Sequence, residues 1–253
     1  QVCPTCRVDL PPGPEQLYED AVRRFWVLHR RYGQGDDKPW RRIRNADDRR
    51  EAAEVVRMMT EAAEQEYSLA QYFLGNMHRD GEGLPQSDAL AVEWYHKAAD
   101  QGHAEAQCNL GVMYRQGLGG LPQNDTMAAE WWRKAADQGD QDGQLGLAQF
   151  YFYGEAGLPQ DSSKALSLLR QSAAQGNEMA SALILQVSQA AQARRQRQVL
   201  AQAFPRGTRV ELHSLKAKEL NGQLGEVVGF DAASGRCKVK LQDGRGPYGL
   251  KLE

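Results

Sequence analysis

The sequence predicts a mainly α fold: an α-solenoid of antiparallel helical hairpins (an alpha-alpha superhelix), followed by a small all-β module at the C-terminus. Three observations carry that expectation. Landmark residues recur at a step of 37 through the middle of the chain, and a fixed period of this length marks a stacked-repeat architecture. Inside each unit, apolar residues recur at helical period. After Pro205 the apolar spacing changes from the helical period to strict alternation, the pattern of half-buried strands.

The three clearest units run from Ala70 to Gly102, Ala106 to Gly139 and Gly143 to Gly176. Gly102, Gly139 and Gly176 keep the 37-residue step, as do Pro85, Pro122 and Pro159, Ala91, Ala128 and Ala165, and Trp94, Trp131 and Leu168. Gly75 and Gly111 are 36 apart, so the second unit carries one extra loop residue, at Gly119 or Gly120. In the second unit Ala106, Leu110, Met113 and Tyr114 fall at i, i+4, i+7 and i+8, one stripe of a first helix. The run from Gln116 to Gln123 breaks it, with glycines that tolerate positive φ and a proline that sets the exit. Asn124 or Asp125 is placed to cap the second helix. That helix presents Ala128, Trp131, Trp132, Ala135 and Ala136, and Gly139 stops it. Paired alanines allow close helix approach while the aromatic residues supply buried area.

Partial units flank the three. Met58-Met59 with Ala62-Ala63-Glu64-Gln65 repeats the second-helix pattern of Trp94-Tyr95 with Ala98-Ala99-Asp100-Gln101. Leu17, Ala21, Phe25 and Leu28 form a helical stripe suited to its divergent first helix, with residues 33–46 as the loop between them. After Gly176, Met179, Ala182, Leu183 and Leu185 open one more helix that runs into a polar stretch. Such end units shield the apolar faces of a solenoid.

The pattern Ala106-x-x-x-Leu110-Gly111-x-x-Tyr114, then Leu121-Pro122-Gln123, then Trp131-x-x-x-Ala135-Ala136-Asp137-Gln138-Gly139 resembles the Sel-one-like repeat (SLR), a relative of the tetratricopeptide repeat. The resemblance covers about 120 residues, with full copies at 68–102, 103–139 and 140–176 inside a helical region of 14–203. Departures are mild: His78 stands at a Tyr position, Ala148 at the first-helix Gly, and Leu168-Leu169 at the aromatic pair. Repeats of this kind imply protein binding, with the first helices lining a concave groove. Counting 100° per residue from Ala106 puts Cys108, Val112 and Arg115 opposite the core stripe. Their equivalents are Tyr72, Asn76 and Arg79 in the first copy and Leu145, Gln149 and Phe152 in the third. These nine residues are the candidate partner-binding set for a protein or peptide in the groove; the alternative is that several of them pack against the next repeat.

At the N-terminus, Cys3-Pro4-Thr5-Cys6-Arg7 resembles the last ligand pair of a RING-type zinc finger, so residues 1–10 are read as its remnant. Zinc takes four ligands in such sites, and neither an upstream Cys or His nor the isolated His29 completes the set. Cys3 and Cys6 are thus half of a metal site, with zinc as a cofactor only if the rest of the RING precedes Gln1. An incidental pair, another zinc knuckle or a redox pair remain as alternatives. The resemblance implies a ubiquitin-carrier enzyme as a further partner of the full-length protein, and the abrupt start suggests a fragment.

Beyond Pro205, Val210 and Leu212 alternate with polar residues, as do Cys237, Val239 and Leu241 with Lys238, Lys240 and Gln242. Asn221-Gly222, Ser234-Gly235 and Asp243-Gly244 are hairpin-turn pairs. Four or five short strands in residues 205–253 point to a small SH3-like barrel. The run from Leu220 to Phe230 and from Gly235 to Val239 resembles a small barrel found beside RING or ankyrin modules.

Charge is segregated along the chain. Residues 52–185 carry 8 Lys and Arg against 18 Asp and Glu, whereas residues 205–253 carry 9 against 6. An acidic solenoid disfavours nucleic acid, whose phosphates need cationic partners; solubility or a basic partner accounts for it. No run approaches the roughly 18 apolar residues of a membrane span. Four cysteines without a disulfide framework, and no visible targeting segment, point to a cytoplasmic or nuclear location. Catalytic motifs such as G-x-S-x-G, a phosphate loop or H-E-x-x-H are missing, so the chain is expected not to be an enzyme, with ligase activity left open for the full-length protein. His78, His96 and His103 sit on the repeat framework in packing or surface roles. The expected function is a protein-interaction scaffold, the partner- or substrate-binding part of a RING-type ubiquitin ligase. A non-catalytic adaptor without a ubiquitin link is the alternative, and an RNA-binding adaptor acting through the barrel is a further one.

Overall fold

The structure, a computed structural model, describes residues 12–32, 40, 43–203, 209–211, 224–231, 236–243, 246 and 248–250. It divides into two compact units, Gln1–Ile184 and Leu185–Glu253. The first is built from helical hairpins: α1 (Pro14–Tyr32) with α2 (Ala46–Glu64), α3 (Ser68–Asp80) with α4 (Asp88–Asp100), α5 (Ala104–Gln116) with α6 (Asp125–Asp137), and α7 (Gln141–Tyr153) with α8 (Ser162–Ala174). Each second helix also packs on the next first helix, α2 on α3, α4 on α5 and α6 on α7, which makes the hairpins a stack. A ninth helix, α9, spans Glu178–Ala203.

The ends of the six central helices show why each is 13 residues long. Ser87, Asn124 and Asp161 cap the second helices by accepting backbone N–H bonds from Leu90, Met127 and both Ser163 and Lys164, satisfying donors that a helix start leaves unpaired. Of the two cap candidates for α6, Asn124 is the one used. The first helices α3, α5 and α7 each end on a glycine in the left-handed region, Gly81, Gly117 and Gly154.

The first hairpin has both of the helices that the sequence stripes outline, and they are longer than those of the repeats that follow. Both of its helices are 19 residues long, and Leu17, Ala21, Phe25 and Leu28 are buried against Val55, Met59, Leu74 and Met77. The hairpin is locked by buried Asp48, which accepts from Arg31, Tyr32 and Asn45. The hydrogen bonds from Tyr32 and Asn45 hold its carboxyl below the usual carboxylate range. Trp40 seals the same core, its ring 5.4 Å from that of Phe25.

Apolar clusters then follow one another along the stack. Val92, Tyr95, Leu110 and Met113 form the next, and Trp132, Leu147 and Phe150 the one after. Tyr114 packs on both, so the apolar seam is continuous between them. Burying side chains of this size stabilises by roughly 1.5–3 kcal/mol each. On α9 the buried positions among the described residues are Ala180 and Val187. Met179 and Leu185, assigned from the sequence to its apolar stripe, are instead 67% and 63% exposed; the helix is phased one residue later.

In the second unit, β1 (Arg209–Glu211), β2 (Leu224–Asp231), β3 (Arg236–Leu241) and β4 (Tyr248–Leu250) form an antiparallel sheet in sequential order. Val227 pairs with Val239 and Gly225 with Leu241, and the β2–β3 register shifts between Val227 and Gly229. Val227, Val239 and Leu241 are buried while Lys238 and Lys240 are exposed, the alternation expected of a sheet with one face covered. Turn residues 221–222, 234–235 and 244 lie outside the described residues.

Candidate functional site

The first helices α5 and α7 and the start of α9 border an open cleft of about 770 Å³, within the range of roughly 300–1,000 Å³ typical of ligand clefts. Five of the nine candidate partner-binding residues line it: Cys108, Val112 and Arg115 from α5, and Leu145 and Gln149 from α7. Gly146 and Trp132 complete the floor, and exposed Met179 reaches the rim. Asp125, Asp142 and Glu155 also line it. Helical geometry brings the floor together, because positions 108, 112 and 115 follow one face of α5 and positions 145 and 149 the matching face of α7.

Arg115 is held within the fold. Its guanidinium lies 5.6 Å from the Trp132 ring and 5.2 Å from the Phe150 ring, and Nη1 donates to Gln149 Oε1 at 3.0 Å. Cys108 is buried. Burial, and after it the neighbouring carboxylate of Asp140, push its thiol far above the ordinary range. Asp140 accepts from Gly143 N–H at 2.6 Å as the cap of α7, and burial raises its own carboxyl.

The other four candidates lie apart from the cavity. Tyr72 is stacked on His103, with centroids 4.6 Å apart. Asn76 accepts from the Tyr95 hydroxyl at 2.7 Å and from Asn109 Nδ2 at 3.4 Å. Arg79 forks onto Asp80 through Nε at 2.9 Å and Nη2 at 2.8 Å. Phe152 is buried, and its carbonyl accepts from Gln160. Cys3 and Cys6, the candidate zinc ligands, lie outside the described residues.

Comparison with known proteins bears on the helical stack. The Sel1 repeat family matches at residues 68–103, 104–140 and 141–177. Residues 68–177 thus match three Sel1 repeats in tandem. A crystal structure of c5321, a protective antigen present in uropathogenic Escherichia coli strains and displaying an SLR fold, is 33% identical with a TM-score of 0.53. The match covers 75% of this chain and 34% of that one. A Sel1 repeat protein from Oxalobacter formigenes is similar in fold, at 23% identity and a TM-score of 0.54, over 68% of this chain and 62% of its own. The chain thus spans about a third and three-fifths of the lengths of these two structures. No curated protein matches the sequence. Sel1 repeats are protein-interaction scaffolds. Among the described residues no helix is long and apolar enough to cross a membrane.

The Sel1 array contains two devices that apolar periodicity overlooks. The first is a ladder of glutamines. Gln101, Gln138 and Gln175 donate to Gln71, Gln107 and Gln144 at 2.8, 2.8 and 3.2 Å. Buried Gln71 and Gln107 donate in turn to the carbonyls of Ala63 and Ala99 in the preceding hairpin, at 3.0 and 3.1 Å. Each such bond fixes one hairpin against the last, since a buried amide left unpaired costs about 1–3 kcal/mol. The signal was present, for the glutamines keep the repeat step. The second device pairs a small first-helix residue with a large second-helix ring. A Cβ at Gly75 would stand 2.7 Å from the Tyr95 ring and one at Gly111 2.4 Å from the Trp132 ring. In the third repeat the equivalent positions are Ala148 and Leu169, both buried, so a larger first-helix residue goes with a smaller second-helix one.

Proposed function

We propose that this chain is the partner-binding part of a larger assembly, in which the first-helix face of the Sel1 array seats a segment of another protein. The observation that carries the reading is the cavity between α5 and α7, where Val112, Leu145 and the Trp132 ring offer an apolar floor beside Arg115, Gln149 and a polar rim. Apolar contact with a few placed polar groups is what an interaction cleft requires. Tyr72, Asn76 and Arg79 extend the same helical face one repeat earlier, and Phe152 closes it at the far end of α7. No step of catalysis is assigned to the chain.

The finer form of the proposal is that residues 1–10 are the tail of a RING-type zinc finger, with Cys3 and Cys6 as two of its zinc ligands, and that residues 14–203 are the repeat region. The array then selects substrates for a ubiquitin ligase whose RING engages a ubiquitin-carrier enzyme. The Cys3-Pro4-Thr5-Cys6 spacing supports it. We propose further that the sheet of residues 205–253 closes into an SH3-like barrel serving protein contact, and that the protein works in the cytoplasm or nucleus. Similarity to bacterial Sel1-repeat structures favours a second reading, a non-catalytic adaptor with no ubiquitin link.

Two experiments test these readings. Gln116 and Met179 are exposed on the cavity rim, so Gln116→Trp with Met179→Trp fills the cleft without disturbing the core. Full-length protein so altered should lose the partners that wild type and an outer-face Leu90→Trp control retain from native extract; an unchanged partner set would reject the docking face. Zinc-dependent ubiquitin transfer by the full-length protein with purified activating and carrier enzymes, lost on Cys3→Ser with Cys6→Ser, supports the ligase reading. No transfer leaves the adaptor.

A further inference from the structure

The charges around the α5–α7 cavity narrow the chemistry of its occupant, given the docking-face reading above. Asp125, Asp142 and Glu155 stand on its border against a single cation, Arg115. That cation is committed to Gln149 and to the Trp132 and Phe150 rings. Among the described residues neither Asp125 nor Glu155 takes part in an ion pair, and Asp142 accepts only an amide bond, from Asn177 Nδ2 at 2.8 Å. The carboxylates come from three places in the chain, the first turn of α6, the first turn of α7 and the loop after α7. They border an apolar floor of Val112, Leu145 and the Trp132 edge, with Asp142 and Glu155 at opposite ends of α7. The stretch around them, residues 52–185, carries 18 acidic against 8 basic side chains, so the field extends beyond the cavity.

We infer that the cavity takes a basic peptide segment of a partner protein, Lys or Arg side chains flanked by aliphatic ones, with the aliphatic groups on the Val112–Leu145 floor and the cations drawn to the carboxylates at its ends, Asp142 at the start of α7 and Glu155 just beyond its last turn, with Asp125 on the α6 side. Rim charges of one sign steer an oppositely charged partner and set the salt dependence of its capture. The buried Cys108 thiol on the same lining feels one of these rim carboxylates: after burial and Asp140, Asp142 and then Glu105 also push it up. An acidic segment would meet three carboxylates and one occupied guanidinium, and like charges across an interface oppose binding.

The test is selection of a phage-displayed random-peptide library on the full chain at low salt, followed by fluorescence anisotropy with the selected peptides. The expected result is enrichment of Lys or Arg next to Leu, Ile or Met. Binding of such a peptide should weaken about tenfold in the exposed-site variant Asp142→Asn with Glu155→Gln, and again on raising salt. Enrichment of acidic or uncharged peptides that Gln116→Trp with Met179→Trp displaces overturns the cationic assignment and leaves the docking face standing. Cationic peptides indifferent to the carboxylate variant overturn it by placing their site elsewhere. No enrichment at all defeats both readings. A dimer of the free chain in sedimentation, dissociated by the carboxylate variant, replaces the peptide with a second copy.

Discussion

Replacing Gly111 by alanine tests how the Sel1 hairpins are held together. The new Cβ would lie 2.4 Å from Cδ1 and Nε1 of Trp132 and 2.9 Å from its Cγ. The indole has no room to retreat. Its opposite edge lies against Gly146 of the next repeat, where a Cβ would be 2.5 Å from Cδ2, and its N–H donates to the Cys108 carbonyl at 3.1 Å. Overpacking of this kind costs about 1–3 kcal/mol, and displacing the indole forfeits a hydrogen bond of about 1 kcal/mol. Alanine's better helix propensity returns about 1 kcal/mol. Gly111→Ala is therefore expected to destabilise by about 2 kcal/mol. The third repeat suggests the compensation, since Ala148 and Leu169 stand there at the positions of Gly111 and Trp132. Trp132→Leu alone should cost about 2–4 kcal/mol for the cavity it leaves. Gly111→Ala combined with Trp132→Leu should cost at least about 1 kcal/mol less than the two separate losses. Urea unfolding followed by far-ultraviolet circular dichroism measures all four corners of the cycle without relying on Trp132 fluorescence. A neutral or stabilising Gly111→Ala, or strict additivity, refutes the packing argument.

Other consequences follow from the same contacts. Gln107→Ala leaves the Ala99 carbonyl and the Gln138 amide without their buried partner and should cost about 1–3 kcal/mol, seen as faster hydrogen exchange at the α4–α5 junction. Gly119 has φ +64 and a Cβ there would be 2.5 Å from the Asp88 carbonyl, so Gly119→Ala should destabilise by more than about 1 kcal/mol, whereas Gly120→Ala meets no atom and suffers only from its own positive φ. His103 accepts the Ala106 N–H through Nδ1, and burial lowers its basicity. The unfolded chain then takes up a proton first as pH falls. Its contribution to stability is intact above about 6.5, is lost on acidification toward the folded-state value and is constant below that. His103→Asn, which retains a capping oxygen, should flatten this part of the melting-temperature profile between pH 7.5 and 5 relative to wild type.

Much of the array was legible because its landmarks are the residues that geometry constrains most. Gly102, Gly139 and Gly176 stop helices, Ala91, Ala128 and Ala165 permit close approach, and an aromatic residue or Leu fills the space beside a Gly or Ala. In the first hairpin both helices were legible, but what closes it was not. Its closure depends on Asp48 meeting Arg31, Tyr32 and Asn45, a polar knot with no apolar period. The phase of α9 was missed because counting from Met179 assumes that the first large apolar residue faces inward, whereas small Ala180 does. For the candidate site, helical counting placed Cys108, Val112, Arg115, Leu145 and Gln149 on facing helices. It could not show that Arg115 would be taken up by Gln149 and two rings, or Arg79 by Asp80, because those partners depend on rotamers and neighbouring helices. The rim of Asp125, Asp142 and Glu155 has no sequence spacing of its own; the start of α6 and the two ends of α7 place these carboxylates around one cleft.

Site-directed photocrosslinking bears most directly on the claim that partners dock on the first-helix face. Benzoylphenylalanine placed at Gln116 or Met179, both exposed on the cavity rim, should yield a discrete adduct with a partner protein in cells that express the full-length chain. The same probe at Leu90, exposed on the second helix of the first repeat, should yield none. Adducts formed at Leu90 and absent from both rim positions would contradict the account.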